Sequence, residues 1–117
     1  MKNQAAIRER YLRDPLPIRL GGLAANLARI QSFSSHPEHR EVVEGLIDES
    51  KRFIEWAAPD AEPLLQTELV DLQRQLVQWH RNWTNIWDDP AQRAAVADAA
   101  GKWSRSVLER SGLLGQR

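Results

Sequence analysis

The strongest pattern in the chain runs from Leu64 to Trp87, LLQTELVDLQRQLVQWHRNWTNIW. Within it Leu65, Leu69, Leu72, Leu76, Trp79, Trp83 and Ile86 recur at alternating steps of four and three. This spacing gathers all seven on one side of an α-helix, where a strand would send alternate members to opposite faces. The same rhythm appears at Leu16, Leu20, Leu23, Leu27 and Ile30. A third apolar face comprises Val43, Leu46, Ile47, Phe53, Ile54 and Ala57, opposed by Glu41, Glu44, Asp48 and Glu55. Val96, Ala99, Ala100, Trp103 and Val107 make a fourth. Ile7 and Tyr11, one turn apart, define a shorter leading helix, too short to hold without packing. Nothing reads as a strand.

Proline and small polar residues punctuate these faces. Asp14-Pro15-Leu16-Pro17, Ala58-Pro59-Asp60-Ala61-Glu62-Pro63 and Asp88-Asp89-Pro90 each stop one helix and start the next, with Asp14, Asp60 and Asp89 as expected caps. Ser35-His36-Pro37-Glu38 has the form of a capping box. Gly112 is the expected stop, with Leu113 folding back on Leu108 and the tail Gly115-Gln116-Arg117 frayed. The predicted helices occupy 1–13, 15–34, 36–58, 61–87 and 90–111. Helices of about twenty residues span roughly 30 Å, and short connections force neighbours antiparallel. The expectation is an all-α chain: one domain over 1–117, an up-down-up-down antiparallel four-helix bundle preceded by a short N-terminal helix. A dimeric coiled coil is disfavoured by the prolines. It is also disfavoured by flanking positions Gln66, Glu68, Gln73, Gln75, His80 and Asn82, which lack opposing charges.

Composition narrows the function classes. Sixteen basic and sixteen acidic residues among 117 leave no net charge, so neither nucleic acid nor an anionic membrane surface is an expected partner. The absence of cysteine excludes disulfides, thiolate chemistry and cysteine-ligated metal sites, and fits the cytoplasm. The start, MKNQAAIRERYLRDP, lacks the apolar run of a signal peptide, and nothing approaches the roughly 20 apolar residues of a membrane span.

Five tryptophans are many for this length. Trp79, Trp83 and Trp87 fall at steps of four, with Trp103 able to face them from the last helix. They read either as core or as an aromatic-walled pocket for a flat apolar ligand. Gly21 and Gly22 interrupt the second apolar face at a propensity cost of about 1 kcal/mol each. With Ala25 and Ala28, Gly21 forms a small-residue strip that suits either close helix packing or a ligand against bare backbone. His36 and His39, near Glu38 and Glu41, are weak metal-ligand candidates, and the glutamate-plus-histidine pairs of a di-iron bundle are missing. His80 reads as a hydrogen-bonded helix-edge histidine.

No nucleophile with an orienting base and no phosphate loop is found, so neither enzymatic activity nor a cofactor is expected. Val70 and Val77 lie on the side of their helix opposite the main stripe. The leading helix, through Ile7 and Tyr11, is the expected cover. Otherwise this ridge, with Ala94, Ala97 and Gly101, is a surface for a protein partner or a homodimer. The favoured function is therefore a non-enzymatic protein interaction module or small subunit. The alternative is a bundle binding a small apolar ligand or cofactor at the tryptophan cluster.

Overall fold

The computed structural model describes residues 3–113. They form six α-helices: α1 (Gln4–Arg13), α2 (Leu16–Phe33), α3 (Arg40–Ala57), α4 (Pro63–Arg81), α5 (Trp83–Asp88) and α6 (Pro90–Ser111). Single 3₁₀ turns at Pro37–His39 and Ala58–Asp60 precede and follow α3. The described residues contain no strand, and none of their helices is long and apolar enough to cross a membrane. The expected tail at Gly115–Arg117 lies outside the described residues.

The predicted helix over 61–87 is divided. At Asn82 the backbone moves to φ −102°, ψ 21°, and the side-chain amide donates to the Gln78 carbonyl at 3.1 Å. A short carboxamide competes for helical carbonyls in this way, and here it ends α4. Helix resumes at once in α5, with the Ile86 amide bonded to the Asn82 carbonyl at 3.0 Å. Only one residue leaves the helix, so the apolar stripe survives the break, and Trp83, Ile86 and Trp87 stay buried beyond it.

Several caps differ from expectation for identifiable reasons. Pro15, not Asp14, stands at the start of α2, while the Asp14 carbonyl accepts from Arg19 Nε at 3.0 Å. Ser35 donates its hydroxyl back to the Ser32 carbonyl at 3.0 Å instead of capping, and α3 begins only at Arg40, after the Pro37–His39 turn. Asp60 is engaged by Arg19 at 2.9 Å. Glu62 caps α4 in its place, its carboxylate accepting the Leu64 and Leu65 amides at 3.1 and 2.8 Å. Asp89 caps α6 as the sequence implies, accepting the Ala91 amide at 2.9 Å. Gly112, at φ +87°, ends that helix. Leu113 then reaches α2 and fills the space a Cβ on Gly21 would need.

The core is continuous through all four long helices. Leu20, Leu23, Leu27 and Ile30 of α2, Val43, Ile47 and Ile54 of α3, Leu65, Leu69, Leu72 and Leu76 of α4, and Val96, Ala100 and Val107 of α6 are all buried together. The α2 helix is the spine, meeting α6 most closely and α3 next; α3 carries α4, and α5 packs on α6. The α2–α6 approach is close because small residues line it. Gly101 leaves room for the Gln31 side chain, and Ser104 Oγ donates to the Ala24 carbonyl at 2.7 Å. The α4 and α6 helices touch only lightly, which leaves an open channel between them.

Candidate functional site

That channel is an open groove of about 540 Å³. Gln75, Gln78 and Trp79 of α4, Asn82 at the break, and Asn85 and Ile86 of α5 form one wall; Gln92, Ala95, Val96 and Ala99 of α6 form the other. The floor is apolar, built from Trp79, Ile86, Val96 and the two alanines. The rim carries five carboxamides and no ionisable group. Asn82 and Gln92 are held by internal bonds, to the Gln78 carbonyl and to the Asp89 carboxylate at 3.2 Å. The carboxamides of Gln75, Gln78 and Asn85 have no hydrogen-bond partner among the described residues.

The short α5 wall is fastened from behind. Trp87 Nε1 donates to the Pro37 carbonyl at 2.9 Å, and Arg93 donates to the Trp87 carbonyl at 2.9 Å while its guanidinium lies 5.3 Å from the indole centroid. Trp83 and Trp87 pack together with centroids 5.1 Å apart. At the head of α6, donation from the Gln92 side chain and the Ala91 amide holds the Asp89 carboxyl below its ordinary range. These contacts fix the groove walls before any ligand arrives.

No family model, curated protein or solved structure matches this chain. The site must therefore be read from its own geometry.

Of the residues singled out as an aromatic pocket, Trp79 alone lines the groove. Trp83 and Trp87 are buried and do not line it, and half-buried Trp103 borders a neighbouring shallow depression with Lys102, Ser106 and Ala99, the last shared with the groove. Gly21 and Gly22 lie elsewhere, the first facing Leu113 and the second placed so that an added Cβ would come within 4.0 Å of the Phe53 ring. Thus the four indoles and two glycines are not gathered around one space. Each step of four advances about 40° around a helix, and the break at Asn82 falls between Trp79 and Trp83, so the three indoles do not share one direction.

The α1 helix does not cover α4. Tyr11 stacks on Phe53 of α3 at 4.2 Å, with Trp56 at 5.8 Å, and donates its hydroxyl to the Arg19 carbonyl at 2.9 Å. Burial pushes the Tyr11 phenol well above the usual tyrosine range, against a smaller opposing effect of the Arg19 charge. Ile7 borders a small cleft against Gly45 and Trp56. Val70 and Val77 therefore stay exposed, at 47% and 37%. Val77 belongs to a shallow depression with Gln73, Arg74, Gln78 and Arg81, which shares Gln78 with the groove.

His36 and His39 sit edge to face at 5.5 Å, and His39 also meets Phe33 at 5.1 Å. Among the described residues no three metal-ligating side chains converge. His80 bridges α3 and α4. Lys51 Nζ, which has only hydrogens to give, donates to its Nδ1 at 2.8 Å, and Nε2 lies 3.5 Å from Glu44.

The groove's carboxamides were not singled out from the sequence as a site. Neutral polar residues carry no periodic hydrophobic signal. The available clue is the flank of the long stripe that lacks opposing charges, Gln75 and Asn82 included.

Proposed function

We propose that this chain is a non-enzymatic helical interaction module that engages a protein partner through the groove between α4–α5 and α6. The observation that carries the reading is a preformed channel with an apolar floor and a rim of carboxamides. Protein contacts have this layout, an apolar centre inside a polar margin. Its lining holds no nucleophile or titratable base, which favours binding over chemistry. The exposed Val70–Val77 ridge adjoins the groove through Gln78 and extends the contact surface across α4. In this reading α2, α3, α4 and α6 form the up-down-up-down bundle of a single domain, with α1 strapped to α3.

Introducing a photo-crosslinking amino acid at Gln78, with a control at Glu55 on exposed α3 surface, tests it in the cells that make the protein. Discrete protein adducts from position 78 and not from 55 are the expected result. Equal labelling, or none at position 78, overturns the reading. A homodimer gives an adduct of twice the chain mass at position 78.

The second reading is a small uncharged ligand in the same groove, favoured by its apolar floor and its lack of ionisable groups. Absorption by the purified protein beyond the tryptophan band, or quenching of tryptophan emission by an apolar panel, would support it over a protein partner.

A further inference from the structure

We infer that the groove binds an extended, uncharged polypeptide segment, with its carboxamides pairing to the peptide backbone and one apolar side chain seated over Trp79, Ile86 and Val96. This rests on the interaction-module reading and supplies the partner's chemistry. Gln75, Gln78, Asn82 and Asn85 follow one another at steps of three, four and three along one wall. At a rise of about 1.5 Å per residue they extend over roughly 15 Å. An extended segment of four or five residues, at about 3.3 Å each, covers the same length.

A carboxamide carries a carbonyl acceptor and an N–H donor, as does every peptide unit, so a row of them can both give to and take from a backbone in any sequence. Gln75, Gln78 and Asn85 have no partner within the described residues and are free to do so. Gln92 faces them from α6.

Other ligand classes fit less well. A sugar needs an open aromatic face, and Trp79 is only 6% exposed. A nucleic acid needs cations, and none lines the groove; Arg74 and Arg81 belong to the neighbouring depression. A hydrocarbon would strip water from the carboxamides of Gln75, Gln78 and Asn85 and return no hydrogen bonds. A charged peptide would lose hydration in a channel that has no counter-charge for it.

The test uses the full chain, labelled with nitrogen-15, and capped peptides of sequence Thr-Ser-Leu-Ser-Thr. Comparison peptides carry N-methyl groups on Leu and the following Ser, or have Lys or Glu in place of both Thr. The expected result is shifts at the side-chain amides of Gln75, Gln78 and Asn85 and the indole N–H of Trp79. Binding should be at least about tenfold weaker for the N-methylated and charged peptides. It should be nearly unchanged between about 50 and about 500 mM salt, because no ion pair is made.

The double substitution Gln78→Leu with Asn85→Leu should weaken binding by about tenfold or more. Both positions are exposed, so helix content by circular dichroism should stay unchanged. Absence of shifts up to about 5 mM peptide, equal binding of the N-methylated peptide, or preference for a charged peptide, an oligonucleotide or a maltodextrin overturns the inference. If position 78 still forms protein adducts while no peptide binds, the partner docks in another conformation and the inference alone falls. If position 78 forms none, the interaction reading falls with it.

Discussion

Arg19 reaches from α2 into the corner where α1, α2 and the end of α3 meet. Its Nε donates to the Asp14 carbonyl, one terminal nitrogen donates to the Trp56 carbonyl at 3.3 Å, and the other pairs with Asp60. The arginine is 6% exposed, whereas the Asp60 side chain is 55% exposed. The two partners should therefore differ sharply in effect. Arg19→Met removes the donors of two part-buried carbonyls and should cost about 2 to 4 kcal/mol. Asp60→Asn loses a water-screened pair and should cost under about 1 kcal/mol. Urea midpoints at neutral pH would measure both, and equal effects would contradict the arrangement.

Tyr11 tests the same corner from the other side. Its folded-state pKa is raised above the unfolded value, mainly by burial. Its contribution is thus fully present below about pH 10 and lost as pH rises beyond it, because the unfolded chain releases the proton first. The stability advantage of the native protein over Tyr11→Phe should hold up to about pH 10 and shrink progressively above it. A pH-independent difference would mean that the phenol is not buried against Phe53.

At the scale of elements, helix ends are decided by what each polar side chain finds in three dimensions. Asp60 looks like a cap in the sequence, but an arginine 41 positions earlier takes its carboxylate, and Glu62 caps α4 instead. Asp89 has no such competitor and caps α6. Its carboxyl is held below the ordinary value by donation from Gln92 and Ala91, so its stabilisation is present above about pH 4 and disappears as acid protonates it. Asp89→Ala should lower the melting temperature at pH 7, and the gap should narrow toward pH about 3. A gap that widens in acid would reverse the assignment.

The apolar stripes were legible, because burial of a helix face demands spacings of three and four whatever surrounds it. All seven stripe residues of 64–87 are buried. Two features were not legible in that pattern. The break at Asn82 changes one residue's backbone while leaving every apolar position in place. The seat of α1 depends on Tyr11 meeting Phe53, 42 residues on, and no local pattern encodes such a pairing.

At the scale of the molecule, the two halves of the chain are joined along the α2–α6 seam. Ser104 bonds the carbonyl of Ala24, 80 residues away, and Gln31 fills the space that Gly101 leaves. The seam sets the spacing of everything else, since α2 carries α3, α3 carries α4, and the groove opens where α4 stands off from α6.

Substitutions at Gly101 should therefore depend on size in a particular way. In Gly101→Ala the new Cβ meets only the far end of Gln31, an exposed and flexible side chain that can swing into water. The better helix propensity of alanine offsets the lost contact, so stability should stay within about 1 kcal/mol of the native protein. Gly101→Leu cannot be relieved that way. Its branches would wedge α2 from α6 and should cost about 2 to 3 kcal/mol. Because α6 is also a groove wall, the leucine variant should shift the indole N–H resonance of Trp79 in nitrogen-15 spectra, while the alanine variant leaves it unchanged. If leucine is tolerated as well as alanine, the α2–α6 contact is looser than the geometry states, and the position of the groove wall loses its physical support.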